Sequence, residues 1–477
     1  MAEEQAPDEL WRLGARQVVD LLRRGEVSPL ELVDVALARI AETEPRLNAL
    51  PTLCPERARA QARAAMAAPP EVAARPGWLA GLPLAIKDLN DVAGVRTTYG
   101  SPVFANHVPL RSDATVARIE ANGGAVLAKS NTPEWGAGGV TFNEVFGITR
   151  NPWNTALTPG GSSGGAGAAL AAGQVWLAQG SDMGGSCRTP AAFCGVVGLR
   201  PSPGRVAYAP RALPFDTLSV EGPMARNVGD VALFLDAMVG LDDADPLALP
   251  PPATSFVADL AGPLPRRAAF SADLGMGPVD PEVAEITAAA ALRLVDLGIA
   301  VDDAAPSFAH AHEAFHTLRA ASFAAAMGEL LARERARLKP DIIWNIEKGQ
   351  ALTQPQIARA ERLRGELVGR MGRFFATHDL LVCPAAITPP FAADARTLER
   401  LGDHVFETYM HWLGITYALT LTGCPVLALP CGLTRAGLPV ALQLVGRPRG
   451  EAALLAAGHA LEGLLGMAAR VPRQVSA

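Results

Sequence analysis

The chain has 477 residues, 49% of them hydrophobic and 19% charged, with a formal net charge of −6 at pH 7. That much apolar sequence builds a large core and excludes disorder as a description of the whole, while the acidic balance offers nucleic acid no basic face. Six cysteines (Cys54, Cys187, Cys194, Cys383, Cys424 and Cys431) form no C-x-x-C pair, and a chain this long needs no disulfide framework.

The first eleven residues are acidic and lack the parts of a secretory signal, and no apolar run approaches the ~20 residues of a membrane span. A cytoplasmic protein free of membrane is the expectation. Leu10, Val18 and Leu21 recur at helical spacing and Gly25 offers a stop. Ser28-Pro29-Leu30-Glu31 supplies an N-cap, a first-turn proline and a reciprocal capping glutamate. Leu30, Val33, Leu37 and Ile40 make the stripe of that second helix, so N-terminal helices occupy about 8–45. Residues 68–76 read as a loop and 82–88 as a short strand. Asp113 caps a helix over 114–122, Gly123-Gly124 breaks it, and 125–129 is a strand. This alternation predicts α/β layers.

From Gly160 the chain turns glycine-rich, entering an alanine-rich helix, a strand over 175–179, and then Gly180-Ser181-Asp182-Met183-Gly184-Gly185-Ser186. Residues 246–265 read as a proline-rich surface connection. Helices are expected over 279–297 and 356–375, and strands over 380–383 and 440–445. No repeat and no domain boundary is visible, so 1–477 is read as one domain with its motifs at about 80–230.

Residues 160–165 alone allow several readings. They satisfy G-x-S-x-G at 160–164 and again at 161–165, the pattern of a nucleophile elbow, which would need His411 or His459 as its base. A phosphate loop would need a Gly-Lys-Ser/Thr that is absent. Only four lysines, Lys87, Lys129, Lys339 and Lys348, occur among 42 basic residues, so Lys87 inside an apolar stretch stands out. Lys129 reads as structural or supporting. Among His310, His312 and His316, the last two can share a helix face. No cysteine or carboxylate set accompanies them, and neither a metal nor a cofactor is expected.

Taken together, Gly160-Gly161-Ser162-Ser163-Gly164-Gly165, the run from Gly180 to Ser186, Arg188, Pro190, residues 191–199 and Lys87 in its strand resemble the amidase signature family over about residues 10–465. The resemblance implies an α/β fold with a large mixed β-sheet flanked by helices on both faces. It implies Ser186 as nucleophile, Ser162 as a bridging serine after a cis peptide bond, and Lys87 as general base. The backbone N–H groups of Met183, Gly184, Gly185 and Ser186 would form the oxyanion hole, with Ser163, Asp182 and Arg188 in support. Two positions depart from the usual pattern: Met183 replaces a threonine, and Cys187, read as a small buried hydrophobe, replaces an aliphatic residue. The implied reaction takes an amide to acid plus amine or ammonia through an acyl-serine. The expected partners are a small-molecule amide and a second copy of the chain. The alternative within the family is the glutaminase-type subunit of a tRNA-dependent amidotransferase; an esterase of the α/β-hydrolase type and a non-catalytic ligand-binding relative rank below it.

The residue chemistry agrees with this reading. A serine hydroxyl needs a base to become a useful nucleophile. Lysine serves only when neutral, and an ordinary pKa near 10.4 leaves roughly 0.04% neutral at pH 7. Burial among Leu84, Ala85 and Ile86 can lower that value, whereas arginine stays protonated in any setting. A fairly apolar amide is the expected substrate, in a pocket built mainly by the middle and C-terminal segments, with aromatic and apolar residues of 409–417 either lining it or packing the core.

Overall fold

The computed structural model describes residues 7–468 and 470–472. Eleven strands form one mixed sheet: β1 (Thr52–Leu53), β2 (Pro83–Lys87), β3 (Ala125–Ser130), β4 (Leu177–Asp182), β5 (Val197–Arg200), β6 (Val220–Ala225), β7 (Arg267–Phe270), β8 (Ala300–Asp303), β9 (Leu380–Pro384), β10 (Val426–Leu433) and β11 (Pro439–Val445). Their spatial order is β1-β3-β2-β4-β6-β5-β10-β11-β9-β7-β8. β2 runs parallel to β3 and β4, while β4–β6, β6–β5, β5–β10 and β10–β11 are antiparallel. Most of the central strands are buried along their whole length, as strands covered on both faces must be. Among the described residues no helix is long and apolar enough to cross a membrane.

Local sequence accounts for several boundaries. Ser28 Oγ accepts the Glu31 N–H at 3.1 Å and opens the helix Pro29–Leu47. Its buried stripe is Leu32, Val33, Ala36, Ile40 and Leu47, with Leu30 and Leu37 only half-buried, so the face is turned from the one expected. The single N-terminal helix expected through Leu10 and Val18 is two elements, a 3₁₀ turn Pro7–Arg12 and a helix Ala15–Arg24. The distant carboxylate of Asp230 separates them by accepting the N–H groups of Ala15 and Arg16 at 2.7 and 2.9 Å. Asp113 stands at the start of the helix Ala114–Ala121 but does not cap it; its carboxylate takes the Asp91 N–H and the Asn90 amide instead. The loop at 68–76 contains one helical turn, Pro70–Ala73.

The largest shift concerns β4. It begins two residues later than expected and runs through Gly180-Ser181-Asp182, because register with β6 continues from Leu177↔Ala225 to Asp182↔Val220. What reads in sequence as loop glycines is the end of a central strand. Behind it, the helices Gly164–Ala171 and Arg188–Cys194 are buried throughout. Glycine at 165 is obligatory there, since a Cβ would stand 2.3 Å from the Asn131 nitrogen. Two helices not anticipated from sequence, Ala311–Glu334 and Pro340–Gln350, pack together on an apolar cluster of Phe323, Leu330, Leu331, Ile342 and Ile346.

Candidate active site

Lys87 ends β2 with its side chain fully buried. Its Nζ lies 2.7 Å from Ser162 Oγ, 2.8 Å from Ser163 Oγ and 3.0 Å from Ser181 Oγ. Three neutral hydroxyls therefore surround the amine, and among the described residues it forms no ion pair. Burial lowers its pKa from the ordinary lysine value to about 8. At neutral pH roughly a tenth of such lysines are free amine, some two hundred times the ordinary fraction. Three hydroxyls suit either protonation state, since an ammonium donates three hydrogen bonds and a neutral amine donates two and accepts one.

The peptide bond Gly161–Ser162 is cis. Ser162 opens the turn before the helix Gly164–Ala171, and that turn is tied to the other serine motif by the Ser163 N–H, which donates to Ser186 O at 3.2 Å. Ser162, Ser181, Met183, Gly184 and Ser186 all face one cavity of about 560 Å³. Ser186 is half-buried, so a ligand in the cavity can reach it.

The loop after β4 is held by Asp182. This fully buried carboxylate accepts Arg188 Nε at 3.0 Å and Nη2 at 2.8 Å, with Arg200 Nη1 at 3.3 Å. Burial opposes its charge, but the guanidiniums of Arg188 and Arg200 more than offset that and hold its pKa well below the usual carboxylate range. It also takes the N–H groups of Gly185 and Cys187, each at 3.1 Å. The Gly185 N–H is thus engaged, which separates it from the four donors expected to face an oxyanion. Gly185 has a φ of +114°, and a Cβ there would stand 2.5 Å from Thr416 Oγ1. Thr416 in turn donates to Gly184 O at 2.6 Å. Cys187 is fully buried, and burial pushes its thiol far above the ordinary range; the small-hydrophobe reading describes it.

Aromatic and apolar side chains form one wall of the cavity, alongside charged residues such as Asp91, Arg211 and Arg319. Tyr99 and Trp135 stack with ring centroids 4.7 Å apart, and Phe104 meets Trp135 edge-on at 5.5 Å. Phe323, Met327 and Leu330 of the helix Ala311–Glu334 face the same space. The middle of the chain does contribute, but Tyr99, Phe104 and Trp135 were missed, because they stand in turns on either side of a helix and a strand and share no periodicity. Of the segment 409–417, Met410 and Leu413 line the cavity while Trp412 and Tyr417 are core residues.

The remaining candidates lie elsewhere. No histidine lines the cavity among the described residues, so a nucleophile elbow would lack its base there. His411 packs on His312 with centroids 4.2 Å apart, and His459 lies 3.8 Å from Glu462. His312 and His316 both pack on Tyr417 and His411 packs on those two histidines, while His310 lies toward Glu313. Among the described residues no group of three or more histidine, cysteine or acidic side chains is arranged to hold a metal ion. Lys129 is fully buried, 3.4 Å from Asp88 and bonded to Asn90 O and Thr97 Oγ1. Sequence reasoning also missed Ser181, the third hydroxyl on Lys87, and Glu221, a carboxylate inside the buried strand β6. The signal that singled out Lys87, a charge in an apolar run, was available for Glu221 too.

The family model described as Amidase matches residues 31–455. An acylamidase of Rhodococcus erythropolis is 35% identical over 449 residues, covering 93% of each chain. A glutamyl-tRNA(Gln) amidotransferase subunit from Roseiflexus castenholzii is 35% identical over 494 residues, covering 97% of this chain and 98% of its own. Among solved structures, a bacterial aryl acylamidase of the amidase signature family superposes with a TM-score of 0.88 at 28% identity, covering 96% of this chain and 99% of its own. A 6-aminohexanoate cyclic dimer hydrolase does so with a TM-score of 0.86, also at 28% identity, covering 98% and 99%.

Proposed function

The chain belongs to the amidase signature family and is an amidase, and we propose that it is a free-standing hydrolase of apolar amides working through an acyl-Ser186 intermediate. Ser186 attacks the amide carbonyl carbon, and its proton passes by way of Ser162 to the free amine of Lys87. The carbonyl oxygen, now negative, is met by the N–H groups of Met183, Gly184 and Ser186, with the loop held rigid by Asp182. As the carbon–nitrogen bond breaks, the proton returns through Ser162 to the leaving nitrogen. Water then attacks the acyl-serine by the same route, releasing the acid and restoring Ser186.

The observation that carries this reading is the contact of Lys87 Nζ with Ser162 Oγ at 2.7 Å, at the wall of the cavity that Ser186 faces. The aromatic and methionine-lined wall favours an apolar group on the substrate. The test is Ser186→Ala. We expect turnover of an apolar anilide to fall by about 10⁴-fold or more, and labelling by a serine-directed fluorophosphonate to stop. Label on Ser163, with an active Ser186→Ala enzyme, would transfer the nucleophile to that serine. The similarity to the amidotransferase subunit supports a second reading, release of ammonia from glutamine for a partner protein. Efficient hydrolysis of glutamine, with none of apolar anilides, would select it.

A further inference from the structure

Lys87 must lose its proton readily, yet it must also hold the proton taken from serine while the tetrahedral intermediate lasts. Burial serves the first need and opposes the second. A counter-charge near the amine reconciles them, as an acidic residue does for the base of other hydrolytic triads. Three acidic groups stand close enough to act on Lys87: Cys187, Asp182 and Glu221. The Cys187 thiol is pushed so high by burial that it carries no charge at working pH. Asp182 is neutralised where it stands by Arg188 and Arg200.

Glu221 differs from both. It is fully buried in β6, directly opposite Ser181 of β4, the residue whose Oγ is 3.0 Å from Lys87 Nζ. Among the described residues it forms no ion pair; its partners include the side-chain amides of Gln179 and Asn90. Gln179 links the two groups, because its Nε2 donates to Glu221 and its Oε1 accepts the Lys87 backbone N–H at 3.0 Å. Among the described residues the other titratable groups acting on Glu221 include Asp113, whose carboxylate is held by Asn90 and the Asp91 N–H, and the buried Tyr208 phenol, whose ionisation burial and then Glu221 oppose.

We propose that Glu221 is a positioning residue of the reaction, the buried counter-charge that, with Gln179 as its link to β2, holds the catalytic amine of Lys87 in place and sustains its proton affinity. The inference rests on the reading of Lys87 as general base. Burial raises the Glu221 pKa to about 7, below the value of about 8 for Lys87, so the carboxylate is mainly charged near pH 8 and loses that charge as pH falls through 7. Neutralising Glu221 therefore makes the Lys87 ammonium easier to deprotonate and the amine a weaker base.

The test is the pH dependence of Ser186 labelling by a neutral alkyl fluorophosphonate, which needs no knowledge of the natural substrate. Wild type should show an acidic limb near pH 8. In Glu221→Gln the limb should move down by about one pH unit, and the plateau rate should fall by about tenfold as the weaker base accepts the proton less well. Glu221→Asp, which keeps the charge, should restore most of the shift. Where the amide variant does not fold, Glu221→Thr, suited to a strand, should give the same direction. A limb present in wild type and unmoved in folded Glu221→Gln would overturn the inference alone. A wild-type rate with no limb would remove the reading of Lys87 as base, and the role of Glu221 with it.

Discussion

Two buried lysines sit side by side in this sheet in opposite surroundings. In the pairing of β2 with β3, Lys87 stands opposite Ser130 and Lys129 opposite Ile86. Successive strand positions alternate, so the two amines leave opposite faces. Both side chains are fully buried, and burial lowers the pKa of each. The neighbours decide the rest. Lys129 meets a carboxylate, a carbonyl and a hydroxyl, and Asp88 favours its charged form. Lys87 meets three hydroxyls, each able to accept or to donate a hydrogen bond. On the proposed mechanism, burial alone does not make a lysine a base; burial among groups that tolerate the neutral amine does.

The comparison fails at its strongest point if arginine can replace Lys87. A structural cation there would be rescued by arginine, whereas a base would not, since arginine cannot accept the proton. We expect Lys87→Arg to lose about 10²–10⁴-fold in acylation rate, close to the loss in Lys87→Met. The smaller catalytic effect belongs to Lys129. Lys129→Met leaves the Asp88 carboxylate buried without its cation, and we expect a loss of about 3–5 kcal/mol in unfolding free energy. The fraction that folds should acylate within a few-fold of wild type. Denaturant unfolding and active-site titration of the same preparation separate the two losses. A Lys129→Met enzyme that is stable but inactive would place this lysine in the chemistry.

Much of this site was legible in sequence because its chemistry needs particular residues at particular spacings. The serine motifs at 162 and 186 and the lysine in an apolar run gave the family, the mixed sheet and the residues now gathered at one cavity. What escaped was set by contacts far apart in the chain. Gly180-Ser181-Asp182 reads as loop from composition, and only pairing with β6 makes it strand. The Gly185 N–H could be assigned to an oxyanion until Asp182 was seen to accept it. Asp230 divides an N-terminal segment more than 200 residues away. The aromatic wall joins a loop near Trp135 to a helix near Phe323, and no local pattern encodes that meeting.

The account turns on the protonation of one side chain, and the scarcity of lysine makes that directly measurable. Enzyme labelled with carbon-13 at the lysine ε-carbons carries only four reporters, Lys87, Lys129, Lys339 and Lys348. The Lys87 signal is the one absent from Lys87→Met. We expect it to titrate with a midpoint at about 8, well below the ordinary 10.5, and to coincide with the acidic limb of Ser186 labelling. A Lys87 signal that stays protonated beyond pH 10, in an enzyme already active at pH 8, would contradict the mechanism.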